Sequence, residues 1–199
     1  MEGSIISSVV PPITPVIRTA LRKITGKTAI VLGPGTKTGL SIRIDDPSSV
    51  GADLVAGAAG ALAKYQPPLI VIDMGTATTL SVVDRERNYI GGAIMPGLRL
   101  NLNSLVSGTS MLRGISLDIP KHAIGHNTVD AMRSGIMFGY YGLIKEIVAR
   151  MKEELGGDAL VIATGGFGNT MAQGTDCIDE VDQMLTLEGL RLIFEKNKK

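Results

Sequence analysis

Short apolar runs punctuated by proline and glycine alternate along this chain with stretches of helical spacing. Residues 4–10 (SIISSVV) predict a short buried strand, ended by Pro11-Pro12. Ile13, Val16, Ile17, Leu21 and Ile24 recur at helical spacing, with Thr14-Pro15 as cap and first-turn proline. Residues 29–32 predict a second strand, closed by Gly33-Pro34-Gly35, and a polar loop runs on to Ser49. Residues 50–65 read as a helix of small residues, whose lack of bulk predicts close packing against another backbone. Gln66-Pro67-Pro68 ends it.

The middle of the chain predicts a meander. Residues 69–73 (LIVID), 78–83 and 89–94 read as consecutive strands, with Gly75 at the first turn and Gly91-Gly92 weakening or bulging the third. Pro96-Gly97 opens a helical stretch over 98–112. A loop with His122 and His126 leads to a long amphipathic helix from Thr128 to about Leu155, where Gly156-Gly157 form a C-cap. Residues 160–163 predict another buried strand, with Thr164-Gly165-Gly166 as its exit turn. A final helix spans 186–195, and the lysines at 196, 198 and 199 predict a solvated, fraying tail. Strand and helix alternate around an antiparallel meander, so the fold class is α/β with a mixed sheet.

Composition narrows the function. A chain of 199 residues is one to two domains at about 150 residues each. With 44% hydrophobic residues it buries a core without disulfides or structural metal, and its one cysteine, Cys177, leaves no internal pairing. A net charge of +1 gives no bulk attraction to nucleic acid or an anionic membrane, and 4% aromatics with no Trp argue against a base-stacking platform. No apolar run reaches the roughly 18 residues of a membrane span, and the first residues lack a signal-peptide pattern. The expectation is a cytoplasmic protein. Glycine stands out at 25 residues, against an average of about 7%.

The segment from Asp73 to Thr79 (DMGTATT) is the most informative. An apolar strand delivers Asp73 to its end, Gly75 permits a tight turn with free N–H groups, and Thr76, Thr78 and Thr79 add hydroxyls. Such donors beside a carboxylate make a phosphate cradle with a cation site, or else a polar hairpin turn around a satisfied aspartate. Gly165-Gly166, after a buried strand, has room for a nucleoside against the backbone, or is an ordinary loop. Asp53 opens the small-residue helix, where a carboxylate complements the dipole or accepts a proton during phosphoryl transfer. Asn127 or Thr128 reads as a helix cap. Neither GxxxxGK[ST] nor GxGxxG occurs, which disfavours a P-loop or Rossmann site.

Taken together, eight stretches resemble type III pantothenate kinase, of the acetate and sugar kinase, Hsp70 and actin superfamily. They are ISSVVPP (6–12), GPGTKTGL (33–40), VGAD (50–53), IDMGTATT (72–79), GGAIMPG (91–97), GHNTVDAM (125–132), ATGG (163–166) and LTLEGL (185–190), all in family order. The resemblance implies a ribonuclease-H-like duplicated fold, here a remnant of the N-terminal lobe over 1–66 and a C-terminal lobe over 67–199. It implies transfer of the ATP γ-phosphate to pantothenate, the first step of coenzyme A synthesis, with Mg2+ and a monovalent cation, potassium or ammonium. Carried over residue by residue, Asp53 is the proton acceptor, Gly51 and Ala52 lie beside it in the pantothenate pocket, and Thr128 contacts pantothenate. Asp73 holds the monovalent cation, Gly75 and Thr76 contact ATP, and Gly165 and Gly166 line the adenosine. The resemblance also implies a homodimer, with the helix at Thr128 near the partner.

Two departures stand out. The family begins with a strand and an Asp-x-Gly-Asn-Thr phosphate loop, whereas here Met1 lies five residues before Ile6 and no such turn occurs. This predicts a first lobe short of a few dozen residues, reduced stability and an open strand edge near 4–10 or 69–73. Val-Gly-Ala-Asp is followed in the family by Arg, but position 54 is Leu, with Arg43 and Arg99 as candidate replacements. These departures set out the alternative: a degenerate, non-catalytic relative acting as a binding or transcription-accessory module.

Overall fold

The computed structural model describes residues 2–198. In chain order the elements begin with β1 (Ile5–Ile6), α1 (Thr14–Thr25), β2 (Ile30–Val31), β3 (Ser41–Ile42) and α2 (Ala52–Lys64). The meander follows as β4 (Leu69–Met74), β5 (Ala77–Val83) and β6 (Asn88–Pro96). Then come α3 (Leu98–Ser107), α4 (Thr128–Glu154), β7 (Leu160–Thr164), α5 (Gly168–Gly174), β8 (Glu180–Val181) and α6 (Leu185–Asn197). β1 and β2 form a parallel pair, Ile5 opposite Ile30, and the other strands form one sheet in the order β3-β6-β5-β4-β7-β8.

Parallel pairing of β3 with β6 and of β7 with β8 sits beside a meander whose short turns only antiparallel neighbours permit. The sheet is mixed, as the sequence predicts. Counted from β4 its strands lie third, second, first, fourth, fifth, the order expected of a ribonuclease-H-like lobe. Among the described residues no helix is long and apolar enough to cross a membrane.

The described residues fall into two compact units. The first comprises residues up to Leu69, Ser81–Gly91 and the chain from Met184 onward. Its centre is the crossing of α2 over α6. The buried face of α2 is Val55, Ala56, Gly57, Ala58, Gly60 and Ala61, so almost nothing separates the two backbones. A Cβ on Gly60 would overlap the Leu185 carbonyl, and one on Gly189 would overlap the Ala56 carbonyl. The small residues noted in the sequence are there because two helix backbones touch. Leu32, Val55, Ala56 and Ile193 pack around the crossing.

The second unit, Ile70–Leu80 with Gly92–Gln183, has the larger apolar core. Ile70, Ile72, Met74, Met137, Ile144 and Val161 are at most 2% exposed and lie between β4, β7 and α4.

Several expectations need correction. The first two strands are only two residues each, and the first helix starts one residue later than the pattern, with Thr14 inside it and its hydroxyl donating to Ser8 Oγ at 2.8 Å. α3 ends at Ser107 rather than 112. β3 lies in a segment read as a loop, and α5 and β8 fall within 167–185, for which no element is predicted, because two-residue strands and a seven-residue helix carry no period. β4 is flanked by β5 and β7, so residues 69–73 are interior and not an edge. α6 runs to Asn197 instead of fraying, because Asn197 accepts from the Lys37 N–H at 3.0 Å and donates to its carbonyl at 2.8 Å. Lys198 pairs with Glu2 and Glu195, and Lys199 lies outside the described residues.

Gly189→Ala tests the crossing. Alanine favours a helix by about 1 kcal/mol, but forcing a methyl between the backbones costs about 1–3 kcal/mol or more. The expected outcome is a net loss of stability in thermal or urea unfolding; an unchanged midpoint would mean that the helices separate freely.

Candidate active site

β4 is apolar enough to be buried on both faces, and it carries half-buried Asp73 to its penultimate position. Two residues, Gly75 and Thr76, then connect it to β5, and both are exposed. The Gly75 N–H donates to the Ala77 carbonyl at 3.1 Å, which tightens the turn. On one side the turn rests on Gly97: the Gly97 N–H donates to the Thr76 carbonyl at 3.0 Å, and a Cβ on Gly97 would collide with the Gly75 and Thr76 carbonyls.

Gly165, at the exit of β7, leans on the same place. Its φ is +83°, a left-handed conformation that favours glycine, and a Cβ there would be 2.8 Å from Asp73 Oδ1 and from the Met74 backbone. The two Gly/Thr corners singled out in the sequence therefore abut, and Gly166 beside them is exposed with open space around it. Arg99, in the first turn of α3, stacks over the Phe167 ring at 5.7 Å, placing a guanidinium one residue from this loop.

The threonines divide. Thr76 is exposed, but Thr78 is 1% exposed and bonded to the Tyr140 hydroxyl at 2.6 Å. Thr78 is thus a correction to the reading of three site hydroxyls. Strand alternation turns it inward, and that period-two signal was available in the sequence. Burial pushes the Tyr140 phenol above its usual range, the bond with Thr78 pulling the other way. Sequence reasoning took Gly97 only as a helix opener and missed Tyr140.

In the first unit Gly51 is the N-cap of α2, followed by Ala52 and Asp53 in the first turn. The Asp53 carboxylate is half-buried and accepts from the Leu54 N–H at 3.0 Å. Ala52 lines a cavity of about 440 Å³ with Leu32, Leu40, Pro47, Ser48 and Val55. Next to Pro47 in the chain, the Asp46 carboxylate accepts from the Ser48 hydroxyl at 2.6 Å and N–H at 3.0 Å, bonds that hold it below the usual carboxylate range.

Thr128 is the exposed first residue of α4 in the second unit. Asn127 before it is the cap, accepting from the Asp130 N–H at 2.9 Å and donating to its carboxylate at 2.7 Å.

Among the described residues no three His, Cys, Asp or Glu side chains converge as a metal cage.

A family profile described as type III pantothenate kinase matches residues 1–150. The chain belongs to the type III pantothenate kinase family. Among its relatives, the type III pantothenate kinase of Exiguobacterium sp. strain AT1b is 45% identical over 199 residues, covering 100% of this chain and 78% of its own. That of Moorella thermoacetica is 42% identical over 197 residues, covering 99% of this chain and 78% of its own. A solved structure from Campylobacter jejuni, assigned to the Baf family of transcriptional activators, superposes with a TM-score of 0.68 at 23% identity. It covers 98% of this chain and 83% of its own, and shows the fold alone.

Within this family chain, Gly165→Ala is expected to strain the left-handed corner and push Asp73 and Met74 apart. The cost is about 1–3 kcal/mol in unfolding, with a weakened ATP interaction measurable by titration calorimetry. An alanine variant matching the parent in both would show that the corners need not touch.

Proposed function

We infer that this chain is a kinase that transfers the γ-phosphate of ATP to pantothenate, the entry step of coenzyme A synthesis. The observation that carries the reading is identity of 42–45% to type III pantothenate kinases along essentially the whole chain. The abutting glycine corners of the second unit agree with it. Nothing favours the non-catalytic alternative, since the Campylobacter likeness concerns fold only.

Phosphoryl transfer asks a protein mainly for positioning and charge stabilisation. In this reading Asp53 orients the primary hydroxyl of pantothenate and accepts its proton, with Gly51 and Ala52 beside it in the pocket. Thr128 contacts pantothenate. Thr76 holds ATP through its hydroxyl, Gly75 lets the phosphates approach the turn backbone, and Gly165 and Gly166 line the adenosine. Asp73 holds potassium or ammonium, which offsets the charge of two anionic substrates; Mg2+ comes with ATP and supplies the charge neutralisation at its phosphates. Leu54 donates no side-chain bond, and Arg99, stacked on Phe167 beside the Gly165 loop, is a candidate cation for an anionic substrate. The cytoplasm, where ATP is abundant, is the place of work.

The same reading makes the protein a homodimer through α4. The exposed face of that helix carries Val129, Gly135, Phe138, Gly139, Gly142 and Leu143, and α3 and α4 line a cavity of about 640 Å³ beside it. An apolar, small-residue face of this kind lets a second helix approach closely.

ADP release in a coupled assay with pantothenate, Mg2+ and potassium tests the reaction. Asp53→Asn is expected to lower kcat by about 10²–10⁴-fold while calorimetry still detects pantothenate. Turnover equal to the parent would assign the proton to another group. For the assembly, light scattering should give a dimer mass for the parent and a monomer mass for Gly139→Glu; equal masses would remove α4 from the interface.

A further inference from the structure

We propose that Tyr140 is a positioning residue for ATP, its buried phenol fixing the Gly75–Thr76 turn from behind. The proposal rests on the assignment of that turn to ATP. Tyr140, 4% exposed on α4, reaches Thr78 Oγ1 at 2.6 Å and the Pro96 carbonyl oxygen at 3.1 Å. Thr78 lies on β5, the strand that leaves the turn, and Pro96 ends β6, its neighbour in the sheet. Thr78 follows Thr76 by two residues on β5. Pro96 precedes Gly97, whose N–H holds the Thr76 carbonyl at 3.0 Å.

A phenol has one proton and a carbonyl can only accept. Both bonds are complete when Tyr140 donates to Pro96 and accepts from Thr78. The Pro96 carbonyl has a second donor, Asn101 Nδ2 at 3.3 Å, whereas among the described residues the Thr78 hydroxyl is bonded to Tyr140 alone. Removing the phenol oxygen therefore leaves a buried hydroxyl to find a new partner, and the turn moves with it.

The adjacent residue is a built-in control. Tyr141 is also buried, but its hydroxyl has no partner and lies under Gly174. Burial pushes its phenol up with no bond opposing the shift.

The test is steady-state kinetics on the full chain, with each variant's melting curve showing that it is folded. Tyr140→Phe is expected to raise the KM for ATP about five- to tenfold, the worth of one buried hydrogen bond, with the KM for pantothenate within about twofold. Thr78→Val should do the same, and the double variant should be no worse than either single, because both act through one bond. Tyr141→Phe should leave both KM values unchanged. An ATP KM within about twofold of the parent in Tyr140→Phe, or both KM values rising together as for a general packing defect, would overturn the proposal. Thr76→Ala separates the two layers. No change in its ATP KM sinks the assignment of the turn and this inference with it; a rise there without one in Tyr140→Phe sinks the inference alone.

Discussion

Direct contact between backbones, with no side chain between them, is the constraint on which this structure depends. It occurs twice. In the second unit Gly97 and Gly165 press against the last residues of β4 and the turn that follows, so that the Asp73 carboxylate and the Gly75–Thr76 peptide groups are held from two sides. In the first unit Gly60 and Gly189 let α2 and α6 touch at their carbonyls. A methyl group at any of these positions occupies space already taken by backbone, which cannot move aside as a side chain can. Four of the glycines thus serve as joints, two against the Asp73 turn and two at the crossing of α2 and α6.

Much of this was legible in the sequence, and for a physical reason. The strands of the meander and the long α4 bury continuous or periodic apolar surface, so pattern alone locates them. The small residues of α2 carried the same kind of information, because a helix without bulk has to lie close to something. The abutting corners were visible as two apolar strands each ending in Gly and Thr. What stayed hidden has no periodicity: β3 and β8 are held by pairing to a neighbour, and α5 is too short to show a face. Likewise Gly97 reads as a helix opener until the turn it touches is in place. Tyr140 reads as one more apolar position on the α4 stripe until its hydroxyl is seen to end on Thr78.

Tyr140 and Tyr141 show how chemically identical neighbours diverge once buried. Each loses water, which costs free energy for any hydroxyl. Tyr140 recovers it by bonding across two strands, so its oxygen specifies where those strands sit. Tyr141 contributes its ring, in an edge contact with Phe138 at 6.1 Å between centroids, and its oxygen specifies nothing. A sequence cannot distinguish the two, since they share composition, element and burial. Only the presence of Thr78 on the facing strand does so.

The same logic bears on Asp53. It sits seven residues before Gly60, about 10 Å along α2 at the usual helical rise. Its position is thus set less by its own first turn, where Gly51 supplies no side-chain cap, than by the glycine contact further down the helix. That contact needs α6, which begins at Leu185, beyond the 1–150 span of the family profile but inside the stretch that matches the relatives. In the proposed role, where Asp53 would meet a substrate hydroxyl, the carboxylate would gain from being mounted on a helix whose partner backbone leaves no slack. Under the proposed mechanism the C-terminal helix, though it carries none of the residues assigned to chemistry, is in this sense part of what would aim Asp53.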